Sequence, residues 1–349
     1  MPSPFRIGLI GFGNVGGALA RRLTDDGESI ARAAGRPITL AVIGVRSPES
    51  RIAPAPLVAA DAVAGTTGLD AVIELIGGIE PAHTYISAAL AAGRQVVTAN
   101  KQLVARHGPE LARLGPLRFE ASVASAIPII ETLAQTLAAD EIRSLIGILN
   151  GTTNFMLDRM GKGASYDEAL GEAQGLGLAE ADPTADVDGH DAAAKLAILV
   201  MLAFRKRIDP AAIQRVGIRP EPGARVPEAG RSGYRPNAVT KLMAAARLHG
   251  TQIIADVRPR AIPMDSFFAQ AAGALNAISV EAKYAGTLML AGPGAGPDAA
   301  ASAVVSDIIR AARGIPATAG TILAGLADEP ALAARPFGPN GIEIAGIRL

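Results

Sequence analysis

The stretch RIGLIGFGNVGGAL, Arg6 to Leu19, decides the architecture. Its first half is a short apolar run with strand character, and its second half is rich in small residues at helical spacing. Between them stand Gly11, Gly13 and Gly16, in the pattern Gly-x-Gly-x-x-Gly. The first glycine permits a tight turn, and the second lets backbone approach a pyrophosphate. The third lets helix and strand pack closely. The helix N-terminus then faces the anion. Alone, this pattern is weak in a glycine-rich chain. After a good strand and inside an alternating βα pattern, it predicts dinucleotide binding by Gly11, Phe12, Gly13, Asn14, Val15 and Gly16.

Working outward, a helix is expected from Asn14 to about Ala33, and strands at Ile38–Val45 and Ala71–Ile76. A further helix begins near Pro81, and QVVTA (95–99) and LRFEAS (117–122) read as strands. These strands are continuously apolar rather than alternating, which implies burial on both faces. The expectation is an α/β fold with a Rossmann-type, doubly wound parallel sheet. After Pro128 the character changes. IETLAQTLA is helical, IRSLIGILN is a long strand, and four helical stretches follow up to about Phe204. The Pro/Gly/Arg-rich segment 219–237 reads as a loop. Strands resume at QIIADV, AISVEA and GTLMLAG, and a helix covers about 299–312. This organisation predicts a dinucleotide-binding domain over 1–128 plus 298–318. Residues 129–297 form an inserted α+β domain with a mixed or antiparallel sheet and helices on one face, and 319–349 form a tail.

Lys+Arg and Asp+Glu both total 33, so no net field draws the chain to nucleic acid or to an anionic membrane. There is no cysteine, which removes disulfides, zinc–thiolate sites, iron–sulfur clusters and cysteine nucleophiles together. The N-terminus lacks a signal-peptide pattern. The longest apolar run, Leu196 to Phe204, is about half of the roughly 20 residues a membrane helix needs. The expectation is a cytoplasmic protein acting on a small molecule.

The second strand ends at Val45, followed by Arg46 and Ser47. An acid here would hold the ribose hydroxyls of NAD, whereas arginine accommodates the 2′-phosphate of NADP. The reading favours NADP over NAD, with a solvated strand-end arginine as the plain alternative. Among hydride chemistries, zinc alcohol dehydrogenases need cysteine. The Tyr-x-x-x-Lys pair is absent, because Ala89, Leu170, Ala238 and Leu288 stand four residues after the four tyrosines. Of the histidines, only His190 has a suggestive context, and a lone histidine at a helix start is more often a surface residue.

The remaining candidate is EADPTADVDGHDAAAK, Glu180 to Lys195, with acids at Glu180, Asp182, Asp186, Asp188 and Asp191. Asp191 and Lys195 are four apart and share a helix face. The plain account makes Asp188 a helix cap and Asp191–Lys195 a surface ion pair. Lys195, however, opens LAILVMLAF, apolar all round and so expected to be buried. A carboxylate-lined cavity would keep such an ammonium charged and able to donate a proton.

Six blocks then resemble one family: GFGNVG, ELIGGIEPAHTYISAALAAGRQVVTANKQL, FEASVASAIPII, GILNGTTNFML, AQGLGLAEADPTADVDGHDAAAKLAIL and LAGPGAGPDAAASAVVSDII. Over about residues 6–313 the chain is similar to homoserine dehydrogenases, which interconvert L-aspartate 4-semialdehyde and L-homoserine with NAD(P) in threonine, methionine and isoleucine biosynthesis. The resemblance implies that Lys195 is the proton donor, with Asp191 its partner in substrate binding. It places Glu180 on the substrate amino group, with Asp186 close by. Lys101 falls between nicotinamide and substrate, Gly151 and Thr152 at the substrate-facing turn, and Gly177 and Gly296 at the cofactor. It further implies a sodium ion held by Glu120 and the carbonyls of Val123, Ser125 and Ile127, a donor set of hard oxygens. Ser125-Ala126 stands where the family usually has glycine, so a positive φ at either position means strain. The resemblance also implies a homodimer through the sheet of the inserted domain. Many members carry a C-terminal ACT-type domain or are fused to aspartate kinase; only a short tail follows Arg313, the expectation for a short form. Two other readings stay open: an amino-acid dehydrogenase of related fold, and a non-catalytic cofactor-binding module.

Overall fold

The computed structural model describes residues 2–47, 53–220 and 238–338, with the backbone of 343–344 and 347–348. The loop predicted over 219–237 therefore lies almost wholly outside the described residues. The chain forms two compact units, Met1–Gln135 with Gly296–Asp328, and Thr136–Ala295 with Glu329–Leu349.

In the first unit, β1 (Phe5–Ile10) is apolar on both faces and buried except at Arg6. Next come α1 (Asn14–Asp25), α2 (Gly27–Ala34), β2 (Ile38–Val45), β3 (Leu57–Ala59) and α3 (Ala62–Gly65). β4 (Ala71–Glu74), α4 (Ala82–Ala91), β5 (Gln95–Thr98), α5 (Lys101–Leu114), β6 (Leu117–Arg118) and α6 (Ile129–Glu131) follow. The strands form one parallel sheet in the order β3-β2-β1-β4-β5-β6. This is the doubly wound Rossmann order, in which the connection reverses between β1 and β4.

Two local expectations need correction. The single helix expected over 14–33 is two, broken at Asp26, which lies between α1 and α2. Asp26 turns back to the Arg22 carbonyl through its N–H, and its carboxylate meets the Arg22 guanidinium at 3.3 Å. The strand expected over 117–122 ends at Arg118. Asp307 captures the Glu120 N–H at 2.9 Å and diverts the chain into one 3₁₀ turn, Glu120–Ser122.

The second unit opens with β7 (Ile142–Ile148), then α7 (Gly151–Gly161), α8 (Tyr166–Gly175), α9 (Thr184–Val187) and α10 (His190–Phe204). Its sheet adds β8 (Gln214–Arg215), β9 (Ala238–His249), β10 (Gln252–Pro263), β11 (Leu275–Ala282) and β12 (Gly286–Pro293). The sequence reading has no strand over 238–249. β9 carries AVTKLMAAARLH, and alanine favours helix. Tertiary packing overrides that preference. Ala244, Ala245 and Ala246 are fully buried in a strand between β7 and β10, packed against α7 and α10, where small side chains fit.

The chain then returns to the first unit as α11 (Pro297–Ala312), packed on α1 and α2, and α12 (Thr318–Ala324), packed on α5. In the second unit β13 (Ala334–Arg335) then pairs in parallel with β10, and β14 (Glu343–Ile344) pairs antiparallel with β15 (Ile347–Arg348). The second sheet runs β12-β11-β7-β9-β10-β13, with β8 also pairing β10, and is mixed as expected. Among the described residues no helix is long and apolar enough to cross a membrane.

Candidate active site

The glycine loop joins β1 to α1 at the point where strand order reverses. Gly11 has φ +102°, and a Cβ there would lie 2.9 Å from the Leu75 carbonyl. Gly16 has no room at all, since its Cβ would fall 2.1 Å from the Gly11 oxygen. Beside Gly13, the N-cap of α1, the space is open. This combination leaves an uncovered helix N-terminus beneath a bare backbone, which fits a pyrophosphate. Arg46 is exposed and is the first residue beyond β2, followed by exposed Ser47.

The carboxyl ends of β4 and β5 are fixed by a network absent from the sequence reading. Glu74, fully buried, accepts the N–H groups of Ile76 and Gly77 at 2.8 and 2.9 Å and the Thr98 hydroxyl at 2.5 Å. Thr98 in turn accepts the Asn100 N–H at 3.0 Å. Asn100 donates to the Gly78 carbonyl at 2.6 Å and caps α5 by accepting the Leu103 N–H at 3.1 Å. Lys101 is thereby set at the first position of that helix. A carboxylate closing an otherwise apolar strand was the signal available in the sequence. Gly296, with φ +105° and open space at its Cβ position, caps α11 in the same unit.

In the second unit the acid–lysine segment closes on the start of α7. Lys195 and Asp191 are both buried, with side-chain exposures of 8% and 5%, and meet at 2.7 Å. The surface-pair account of these two residues fails on that burial. Lys195 also donates to the Leu149 carbonyl at 2.7 Å. The hub is Asn150, which the sequence reading did not single out. Its oxygen accepts the Thr153 N–H at 2.8 Å, capping α7, and its amide N–H groups reach Asp186 at 2.7 Å and Asp191 at 3.0 Å. Gly151 admits no side chain, because a Cβ would lie 2.6 Å from the Ala274 oxygen. Thr152 donates its hydroxyl to the Leu178 carbonyl at 2.7 Å, tying α7 to the loop that carries Gly177 (φ +70°) and Glu180.

The five acids do different work. Asp182 accepts the Thr184 N–H at 3.0 Å, and Asp188 pairs with Arg219 at 2.6 Å rather than capping α10. The cap of α10 is Gly189, at φ +77°. Asp186 and Asp191 are held by Asn150. Glu180 is exposed, and among the described residues its carboxylate has no partner. His190 is exposed at the start of α10, as its plain reading expected.

The four residues proposed for sodium, Glu120, Val123, Ser125 and Ile127, are buried. Glu120 accepts the N–H groups of Ile130 and Glu131, each at 3.0 Å, at the start of α6. Burial, and then the adjacent Asp307 charge, push its carboxyl up to about 8, and burial pushes Asp307 to about 7. Positive φ falls at Ala124 (53°) and Ser125 (41°), so the strain is at Ser125 and its predecessor, not at Ala126. A buried carboxylate short of positive charge, beside backbone bent out of its preferred region, fits a cation held largely by carbonyls. Among the described residues no cluster of three or more His, Cys, Asp or Glu side chains forms a metal site, which such a donor set does not require.

A family model described as homoserine dehydrogenase matches residues 128–309, and one described as its NAD-binding domain matches 11–116. The homoserine dehydrogenase of Corynebacterium glutamicum is 43% identical over 88% of this chain and 72% of its own length. That of Mycobacterium tuberculosis is 41% identical over 89% and 73%. Among solved structures, a homoserine dehydrogenase from Thiobacillus denitrificans superposes with a TM-score of 0.83 at 39% identity, covering 89% of this chain and 74% of that one. A hyperthermophilic archaeal homoserine dehydrogenase in complex with NADPH does so at 0.76 and 27%, covering 90% and 99%.

The doubly wound sheet, its glycine loop and these matches define an NAD(P)-dependent oxidoreductase. Within that class, the chain belongs to the homoserine dehydrogenase family.

Proposed function

We propose that this chain interconverts L-aspartate 4-semialdehyde and L-homoserine in amino-acid biosynthesis, with Lys195 as the proton donor. The observation that carries the reading is the buried Lys195–Asp191 pair, locked by the Leu149 carbonyl and Asn150. The bound nicotinamide cofactor supplies the hydride in the reducing direction. Lys195 gives its Nζ proton to the aldehyde oxygen as that oxygen becomes an alkoxide, and takes a proton back in the reverse direction. Asp191 keeps the ammonium charged and aimed. An ammonium stabilises the oxyanion directly, which is the role reserved for it here. Glu180, the one acid of its segment without a partner among the described residues, binds the substrate ammonium group. Asp186 adds negative charge beside it, and Gly151 and Thr152 shape the floor. Gly11 to Gly16, Gly177 and Gly296 would hold the cofactor, and Lys101 would serve its nicotinamide end. The deciding experiment is a steady-state assay with homoserine against each cofactor; turnover of aspartate with ammonia instead would replace this reading by the rival dehydrogenase.

Glu180→Gln removes a charged contact to the ammonium group, worth roughly 1.5–3 kcal/mol. The KM for homoserine is expected to rise accordingly, with cofactor KM unchanged. Unaltered homoserine kinetics return Glu180 to an ordinary surface acid.

For the cofactor, we propose a preference for NADP(H) read by Arg46. A guanidinium donates two parallel hydrogen bonds to a phosphate, and such charge-assisted bonds are the stronger kind. The structural relative bound to NADPH supports the same reading. Arg46→Asp should reverse the ratio of kcat/KM for NADP⁺ over NAD⁺. Wild-type preference for NAD⁺, or a ratio indifferent to the substitution, removes Arg46 from this role.

Glu120 with the carbonyls of Val123, Ser125 and Ile127 is the proposed sodium site. Replacing choline by sodium at pH 9, where Glu120 is ionised, should raise Tm, and Glu120→Gln should abolish the increment. Equal Tm in the two salts leaves the segment without an ion. The proposed homodimer through the second sheet is checked by sedimentation equilibrium, with a monomer the contrary result.

A further inference from the structure

A second lysine is buried more deeply than the proposed proton donor. Lys241, on β9, is 1% exposed. Its ammonium meets Asp158 at 2.5 Å and donates to the Ala271 carbonyl at 3.0 Å. Asp158 uses its other oxygen to accept the Gly273 N–H at 2.7 Å. Asn154, one turn earlier on α7, donates to the Ala271 and Leu275 carbonyls at 2.8 and 3.1 Å. Gly151, at the start of the same helix, lies so close to Ala274 that no Cβ fits. Positions 151, 154 and 158 recur at i, i+3 and i+7, so they form one face of α7. That whole face is clamped to the turn 271–275, and Lys241 is bonded to both sides of the clamp.

A buried ion pair is a poor source of stability, since desolvation opposes its attraction. Its better-attested use is to specify one arrangement among several. Here the arrangement specified is the axial register of α7. A helix transmits displacement along its length, and Asp158 lies about 12 Å from Asn150 at about 1.5 Å per residue. Asn150 and the Leu149 carbonyl at the N-terminal end are the groups that hold Asp191 and Lys195. A shift of about 1 Å in such a group is enough to degrade a reacting geometry.

We infer that Lys241 is a positioning residue for hydride transfer, acting through Asp158 and α7 on the Lys195 ammonium. This rests on the proposed role of Lys195. The test compares wild type, Lys241→Met, Lys195→Ala and the double variant in homoserine oxidation, using homoserine deuterated at the carbinol carbon. Lys241→Met should keep its KM for NADP⁺ within about twofold and lose at least about tenfold in kcat. The primary isotope effect on kcat should rise, because a misaligned chemical step becomes limiting. The double variant should be no slower than Lys195→Ala, as expected when one residue acts only through the other. A Lys241→Met enzyme with lowered Tm but unchanged kcat and isotope effect makes Lys241 merely structural and overturns the inference. So does a double variant whose losses multiply. If Lys241→Met does not fold, Lys241→Gln, which is shorter and lacks the charge that pairs with Asp158, carries the same readouts with a smaller loss of kcat. An active Lys195→Ala overturns the proposed mechanism itself, whereas an inactive Lys195→Ala beside an unaffected Lys241 variant overturns this inference alone.

Discussion

Replacing Lys195 by alanine should lower kcat by roughly 10²–10⁴-fold, the usual contribution of a positioned general acid. Cofactor binding, followed by quenching of NADPH fluorescence, should stay near the wild-type value because the substitution leaves the glycine loop untouched. The variant also loses stability, since Asp191 is only 5% exposed and would keep a buried charge without its cation. Removing one partner of a buried pair costs about 3–5 kcal/mol. Kinetics must therefore be read well below the lowered Tm, with circular dichroism confirming the fold. A purified, folded variant keeping more than half its turnover removes Lys195 from the chemistry.

Asn150→Ala is expected to be nearly as damaging, although the residue does no chemistry. It removes the cap of α7, worth about 1 kcal/mol. It also withdraws hydrogen bonds from Asp186 and Asp191, and bonds to charged groups contribute roughly 1.5–3 kcal/mol each. With its amide gone, two carboxylates near one another lose their common donor, and Asp191 is no longer held where Lys195 needs it. The expected outcome is a fall in kcat/KM for homoserine of about 10²-fold or more, with cofactor KM preserved. Asn150→Asp should be worse than Asn150→Ala, because it adds a third negative charge to the same cluster. If Asn150→Ala costs stability but leaves kcat/KM within about threefold, Asn150 is a helix cap and nothing else.

Much of this site is legible in the sequence, for reasons that are local. The Gly11–Gly16 pattern is legible because each glycine answers a steric demand made by its immediate neighbours, as the 2.1 Å approach at Gly16 shows. Lys195 and Asp191 were legible because helical spacing puts them on one face and an apolar run predicts burial. Asn150 and Lys241 are not. Asn150 looks like any polar residue ending a strand, and its partners Asp186 and Asp191 are 36 and 41 residues away in sequence. Lys241 sits in an alanine-rich stretch whose local preference is helical, so neither its strand nor its burial follows from its neighbours.

The parallel βα order of the first unit, the place of the glycine loop and the acid–lysine pair are all written in the chain itself. Each is a matter of short-range sterics or periodicity, and these survive any long-range rearrangement. How the five acids divide their work follows from the packing: some are tied to Arg219, Thr184 or Asn150, and of the five Glu180 alone keeps an exposed carboxylate with no partner among the described residues. The tertiary structure also decided that β9 is a strand and that Lys241 is buried there against Asp158 of α7. The physical reason is that hydrogen-bond partners and burial are set by which distant segments meet, and a residue's own neighbourhood in the chain carries no record of that meeting.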